Sequence, residues 1–162
     1  MAQSDGLKLS PFRPRLQSMK LIRLIYASAA RTEMSYAELT AVLRTAEAHN
    51  GQNGITGILC YGNGMFLQAL EGEREVVNAL YNRIVADRRH ERCEILRYGR
   101  IATRRFEQWK MKYVGLDDPA TEHRRDLVLR HSGTSQFTPI QMTGAQASAL
   151  LFDLSHEFRI AA

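Results

Sequence analysis

The sequence holds few of the features that mark a secreted protein, a metal protein or a membrane protein. Cys60 and Cys93 are its two cysteines, and their separation is not a metal-ligand spacing. No apolar run approaches the roughly 20 residues that a membrane-spanning helix needs, and residues 1–18 lack the apolar stretch of a secretory signal. We therefore expect two buried, reduced thiols in a cytoplasmic protein that binds neither a metal nor a membrane.

A second absence concerns nucleic acid. The net charge is +5, yet the basic residues are dispersed and no basic strand carries interleaved aromatic side chains. The RNA-recognition signature, a basic residue followed by Gly-aromatic-Gly-aromatic, is missing. We interpret the charge as a solvated basic surface, which argues against direct nucleic-acid binding. The basic stretches are Arg13–Arg15, Arg88–Arg92, Arg97–Arg105 and Arg124–Arg130.

The first half of the chain reads as a leader, a strand and a helix. At 162 residues the chain is long enough for one domain with a real core, and residues 1–18 are expected to be a flexible leader. Residues 20–28 alternate and are rich in β-forming types, which predicts a strand. Ser35 and Glu38 have the spacing of a capping box and predict the start of a helix. Asn50-Gly51 predicts its end.

The dipeptide Asn63-Gly64 is the strongest short hairpin signal in the sequence. Type I′ turns need a positive φ at both central positions, which suits this pair. It predicts a turn between strands at residues 55–61 and 65–71, and it places Gln68 on a face of large apolar side chains. An amide buried there needs a hydrogen-bond partner, because leaving it unpaired costs about 1–3 kcal/mol.

The remaining patterns predict an α+β fold. Glu73 and Glu75 suit the positive N-terminus of a second helix, and two further strands are predicted at residues 94–103 and 108–116. The order βαββαββ is that of a ferredoxin-like sandwich, with two helices on one face of a mixed sheet.

Residues 117–162 are predicted to form a C-terminal helical cap on the other sheet face. Thr143 and Gln146 form a second capping-box pattern. Residues 120–131 suit a helix, although 127–129 could equally form a strand. An apolar stripe at helical spacing follows the capping box and needs a surface to cover; its members are Ala147, Leu150, Leu151, Leu154 and Phe158.

Three side chains and one tract carry the functional argument: Tyr26, Asn50, Gln68 and Trp109-Lys110-Met111. A redox-capable phenol and two carboxamides are what a protein needs to hold an isoalloxazine ring and exchange an electron and a proton with it. An amide offers donors and an acceptor together, so it matches the edge of the ring without adding charge.

The order and local settings of these residues resemble the BLUF family, the flavin-binding sensors of blue light. The resemblance covers about residues 19–116, which we take as the flavin-binding domain. Residues 1–18 and 117–162 lie outside it. The settings that carry the resemblance are Leu24–Ser28, His49–Gly57, Phe66–Gly72 and Phe106–Met111.

The resemblance implies a role for each matching position. The flavin, FAD or FMN, would lie between the two helices. Tyr26 would hydrogen-bond Gln68 and donate an electron to the photoexcited flavin, with a proton following. Gln68 would then rearrange its amide by rotation or tautomeric change, and Asn50 would anchor the ring edge. Trp109 and Met111, alternate residues on one strand, would compete for a place near Gln68 and pass its rearrangement to the sheet.

Four more positions match less specific parts of the family pattern. Ser28 corresponds to a pocket position beside the tyrosine. Asp87, Arg89 and His90 correspond to an acidic-basic tract after the second helix, which would approach the C2 side of the ring and the ribityl chain. A solvated helix end is nearly as good an interpretation of this tract.

The resemblance implies a non-enzymatic photoreceptor that forms a homo-oligomer and signals to a separate downstream protein. Residues 117–162 are too few to hold a cyclase or a phosphodiesterase. One alternative is a small ferredoxin-like enzyme of the acyl-phosphate hydrolase type, although residues 27–32 lack the glycines of a phosphate cradle. Another is a regulatory module that has lost its flavin.

Overall fold

The structure is a computed structural model that describes residues 20–118 and 122–157. The predicted leader at residues 1–18 and Phe158 of the predicted apolar stripe lie outside these ranges. All statements on the fold below concern the described residues.

Within these ranges one five-stranded sheet is covered by helices on both faces. The strands run in the order β4-β1-β3-β2-β5, with β2 and β5 parallel and the other neighbours antiparallel. This is the predicted α+β, ferredoxin-like arrangement. In chain order the elements are β1 (Leu21–Ala30), α1 (Tyr36–Asn53), β2 (Thr56–Gly62), β3 (Met65–Glu73), α2 (Arg74–Ala86), β4 (His90–Arg100), β5 (Lys112–Gly115), α3 (Glu122–Ser132), a 3-10 turn (Pro139–Gln141) and α4 (Gly144–His156).

Helix α1 begins where the sequence predicts and ends later. The Ser35 hydroxyl accepts a hydrogen bond from the Glu38 amide, and the Glu38 carboxylate accepts one from the Ser35 amide. The predicted end at Asn50-Gly51 is wrong, because the left-handed residue that closes the helix is Gly54, with φ +65°. Asn50 therefore lies inside the last turns of the helix, with its side chain buried.

The hairpin between β2 and β3 forms as predicted. Asn63 and Gly64 have φ values of 52° and 68°, as a type I′ turn requires. Because β3 is the central strand, its residues have a neighbour on each side. Gln68 lies opposite Leu59 in β2 and opposite Tyr26 in β1.

The sheet separates two apolar cores. The first, beneath α1 and α2, includes Tyr26, Phe66 and Met111. The second, beneath α3 and α4, includes the buried stripe of α4. Two helices on one face and the C-terminal helices on the other are therefore confirmed. The residues of the α4 stripe are Ala147, Leu150, Leu151 and Leu154.

The last two strands differ from the prediction. β4 ends at Arg100 and β5 covers only Lys112–Gly115, so the predicted strand at 108–116 is mostly wrong. Residues 101–111 form a connecting segment instead. Its backbone amides at 105 and 106 bond to a side-chain carboxylate rather than to a strand, which explains why the ladder does not extend through it.

The two thiols have different environments. Cys60 is fully buried in β2, and burial raises its pKa. Cys93 in β4 is only half-buried, so the prediction of two buried thiols is right for one of them. None of the helices in the described ranges is long and apolar enough to cross a bilayer.

We expect Gly57→Ala to destabilise the protein by about 1–3 kcal/mol, the usual range for overpacking a tight core. A methyl group there would lie 2.2 Å from the carbonyl oxygen of Ala69. Urea denaturation followed by circular dichroism measures the difference. The matched control is Gly99→Ala, also in a strand, where no described atom lies within 4 Å of the added carbon. Equal stability of the two variants would contradict this account of the packing.

Candidate functional site

A cavity of about 290 Å³ lies between α1, α2 and the sheet. Its volume falls near the lower end of the range typical of ligand sites. Apolar side chains from both helices and the sheet form part of the wall, and polar side chains lie on the floor, at the mouth and along α1. The apolar wall consists of Val42, Ala46, Leu59, Phe66, Leu80 and Ile84.

The floor of the cavity carries a buried hydrogen bond between Tyr26 and Gln68. The two residues are paired across β1 and β3, and the phenol donates to the Gln68 Oε1 atom at close range. Both side chains are almost fully buried. Burial raises the pKa of Tyr26 far above its ordinary value, so the phenol is neutral and its proton points at the amide.

The other end of the Gln68 amide contacts Met111. Its Nε2 atom donates to the Met111 sulfur at 3.3 Å, and a thioether is a weak acceptor. The amide is therefore held firmly at its oxygen and loosely at its nitrogen. Such a side chain can exchange its partners without breaking a strong bond at the nitrogen end.

The structure places Trp109 and Met111 on different sides of the sheet. Met111 is buried in the cavity-side core, whereas Trp109 packs against the cap-side core. The Lys112 ammonium lies 4.3 Å from the centre of the indole ring. The expectation that both residues belong to one strand is wrong, because both precede β5 in the connecting segment.

Asn50 joins the cavity to the same tract. Its side chain is buried, and its Nδ2 atom donates to the Lys110 carbonyl at 2.8 Å. Its oxygen lies 3.5 Å from Nδ1 of His49. The carboxamides of Asn50 and Gln68 therefore contact neighbouring residues of the connecting segment from inside one cavity.

An ion pair lies at the mouth of the cavity. The Asp87 carboxylate accepts from the Arg89 backbone amide at 2.9 Å and from the Arg89 guanidinium. These hydrogen bonds lower the pKa of Asp87 to about 2 and raise the pKa of Arg89. Both side chains line the cavity, as does Arg83, so the mouth has a net positive charge.

His90 and Ser28 form a second polar pair. His90 lines the cavity, and its ring packs against Phe66 with the ring centres 4.8 Å apart and the ring planes inclined by 53°; burial lowers the pKa of its imidazole. Ser28 is fully buried and does not line the cavity. Its hydroxyl lies 3.0 Å from His90 Nδ1, so it can affect the site through the histidine.

Several residues of the site were missed by sequence reasoning. Val42, Thr45 and His49 line the cavity from α1 together with Asn50. Val42, Thr45 and His49 are three and four residues apart, which is the spacing of one helical face, and this signal was available. Glu71 lies outside the cavity and was also missed. It is a fully buried carboxylate in β3, and its sign in the sequence is a charged position that follows Leu67 and Ala69 on the same strand face.

The sequence has recognisable relatives. A family model described as BLUF, sensors of blue-light using FAD, matches residues 21–112. The photoactivated adenylate cyclase subunit alpha of Euglena gracilis is 38% identical over 106 residues, which cover 64% of this chain and 10% of that protein. The chain thus spans only about a tenth of the length of that relative.

Solved structures give a closer match in length. BlsA in its photo-activated state has a TM-score of 0.73 and 32% identity, over 83% of this chain and 94% of that chain. Klebsiella pneumoniae BlrP1 with FMN and cyclic diGMP has a TM-score of 0.55 and 34% identity, over 59% of this chain and 26% of that chain. The likeness to BlsA therefore extends beyond the sheet into the cap.

We expect Asp87→Asn to lower stability at neutral pH by less than about 1 kcal/mol, because the pair is exposed and screened. The folded-state pKa of Asp87 is lowered to about 2, below its unfolded value near 3.9. Its contribution is therefore present above about pH 4 and is lost as the pH falls towards 2. Urea denaturation between pH 2 and pH 7 measures it.

The control for this experiment is Glu91→Gln, which removes an exposed carboxylate near the start of β4, four residues after Asp87. It should not reproduce the pH-dependent difference. A difference for Asp87→Asn that persists unchanged at pH 2 would show that the ion pair is not its cause.

Proposed function

The chain belongs to the BLUF family of flavin-binding blue-light sensors, and from that membership we propose that it is a photoreceptor that signals to a separate protein. BLUF domains are sensory modules rather than enzymes. The observation that carries the proposal is the buried series Tyr26–Gln68–Met111 on the floor of a cavity. In this series the Tyr26 phenol, the Gln68 amide and the Met111 thioether are joined by consecutive hydrogen bonds.

The residues around the cavity suit a flavin, as FAD or as FMN. A bound flavin would absorb the blue photon and accept one electron and one proton. Asn50 and Gln68 provide neutral donors and acceptors for the ring edge, and the apolar wall suits the ring faces. Arg83 and Arg89 give the mouth the positive charge that a phosphate-bearing tail favours.

Tyr26 is proposed as the donor of the electron and the proton. Because its phenol is neutral and hydrogen-bonded to Gln68, both can leave along one contact, and no solvent is needed. Gln68 then reorganises its amide by rotation or tautomeric change. Either change alters which groups the amide presents to Tyr26, to Met111 and to the ligand.

The remaining site residues have supporting roles in this proposal. Asn50 anchors the ring edge while its nitrogen holds the Lys110 carbonyl. Asp87 and Arg89 act together at the mouth, where the exposed guanidinium can meet the ribityl chain. His90 contacts the ligand, and Ser28 orients His90 from behind.

The output is proposed to leave through the cap. Residues 19–116 are the sensory domain in this proposal, and residues 117–162 carry the change to a partner protein or through a homo-oligomer. Large apolar side chains on the outer surfaces of α3 and α4, Leu129 and Phe152, support this assignment. A cytoplasmic location belongs to the same proposal and rests on the free thiols of Cys60 and Cys93.

The first test is an absorption spectrum of the purified protein in darkness, under blue light and after a second dark period. A flavin spectrum that shifts to the red and recovers without bleaching supports the photoreceptor. A colourless protein that takes up neither added FAD nor added FMN would refute it. Hydrolysis of an acyl phosphate by colourless protein would favour the enzyme alternative.

Two variants test the mechanism. We expect Tyr26→Phe and Gln68→Glu to bind flavin and to lose the light-induced shift, because the first removes the transferable proton and the second removes the amide. The matched controls are Tyr98→Phe and Gln108→Glu, which change exposed residues outside the cavity. A normal shift in either site variant would refute the assigned roles.

A further inference from the structure

The connecting segment at residues 101–111 contributes side chains to both cores. Phe106 and Trp109 pack in the cap-side core, and Met111 packs in the cavity-side core. One short stretch of chain therefore contacts the candidate flavin site at one end and the underside of the cap along its length. The contacts that hold residues 104–106 and residues 109–111 decide which part of the segment moves when a side chain of the site changes its position.

Residues 104–106, which we call the first end of the segment, are held by Glu71. Its carboxylate is fully buried and accepts from the Arg23 guanidinium at 2.7 Å and from the backbone amides of Arg105 and Phe106, each at 3.0 Å. A buried carboxylate is tolerated only when it is paired and hydrogen-bonded. Here both oxygens are engaged, and two of the donors belong to the connecting segment.

Arg104 strengthens the same attachment. Its guanidinium donates to the Gly54 carbonyl at 2.7 Å, to the Thr56 hydroxyl at 2.9 Å and to the Glu71 carbonyl at 3.1 Å. These acceptors lie at the end of α1 and in β2 and β3. Residues 104–106 are thereby fixed to three elements through charged donors or acceptors.

Residues 109–111, at the second end, accept hydrogen bonds from neutral donors, and the Trp109 ring also contacts the Lys112 ammonium. Gly57 donates to the Trp109 carbonyl at 3.1 Å, and Asn50 donates to the Lys110 carbonyl. Gln68 donates to the weakly accepting Met111 sulfur. Hydrogen bonds with a charged partner are about twice as strong as neutral ones. Residues 109–111 are therefore displaced more easily than residues 104–106.

We propose that Glu71, assisted by Arg104, is a positioning residue that fixes residues 104–106, so that rearrangement of Gln68 displaces residues 109–111 and moves Trp109 against the cap. Without a fixed end, the whole segment would shift slightly and the displacement at Trp109 would be lost. This inference rests on the proposed photoreceptor function and adds to it a residue outside the cavity.

Trp109 makes the test direct, because it is the only tryptophan of the chain. Its fluorescence and its quenching by acrylamide are measured in the flavin-loaded full chain, in darkness and under blue light. The test variant is Glu71→Gln, which keeps the volume and replaces a charged acceptor with a neutral amide. The matched control is Glu73→Gln, an exposed carboxylate of the same strand.

For Glu71→Gln we expect the flavin absorption shift to persist, because Tyr26 and Gln68 are unchanged. Dark-state quenching of Trp109 should rise, and its light-induced change should fall about twofold or more as the anchoring bonds become neutral. Glu73→Gln should behave like the wild type. If Glu71→Gln does not fold, Arg104→Lys is the test variant instead. It should also lower the light-induced change in the quenching of Trp109.

A wild-type light response of Trp109 in folded Glu71→Gln, or an equal loss in Glu73→Gln, would overturn the positioning role and leave the photoreceptor intact. A wild-type protein that binds flavin but shows no absorption shift would overturn both. A reduced Trp109 response with a normal absorption shift supports the positioning role, since a merely destabilised site would also lose the shift.

Discussion

Tyr26 and Gln68 face each other across β1 and β3, where both side chains are almost fully buried. A phenol and an amide buried in this way each need a partner, and each is the partner of the other. The pairing depends on the register of β1 with β3, while the hairpin turn at Asn63-Gly64 sets the register of β3 with β2 on its other side. A slip of one residue would turn Gln68 towards the other core. The relative position of Tyr26 and Gln68 is therefore set by the register of two strands rather than by a loop.

The parts of the fold that sequence reasoning recovered are those with local causes. The capping boxes at Ser35 and Thr143 and the turn at Asn63-Gly64 satisfy backbone groups within a few residues. The connecting segment could not be recovered in this way. Its course depends on Glu71 and Asn50, which are far away in sequence. The alternation of residue types at 108–116 contains no information about these distant contacts, so it predicted a strand.

The candidate site also combines features that the sequence predicts with features that depend on distant contacts. Tyr26, Asn50 and Gln68, which the sequence singles out, line one cavity in the structure, and their roles towards a flavin stay a prediction. The sidedness of Trp109 and Met111 was not readable from the sequence, since alternate residues share a face only in a strand and these two lie outside one. The contact of the Ser28 hydroxyl with His90 was not readable from the sequence either, and a role of Ser28 at a ligand stays a prediction.

The shortness of β5 has a consequence for the energetics of signalling. β5 has four residues and lies at the edge of the sheet, paired to β2 alone, whereas β1 and β3 are paired on both sides. Local opening is easiest where few contacts must be broken, so the strand next to Met111 opens before the strands that hold Tyr26 and Gln68. In the proposed photoreceptor, the signal would thus reach a part of the fold that can change its shape while the pairing of Tyr26 with Gln68 stays intact.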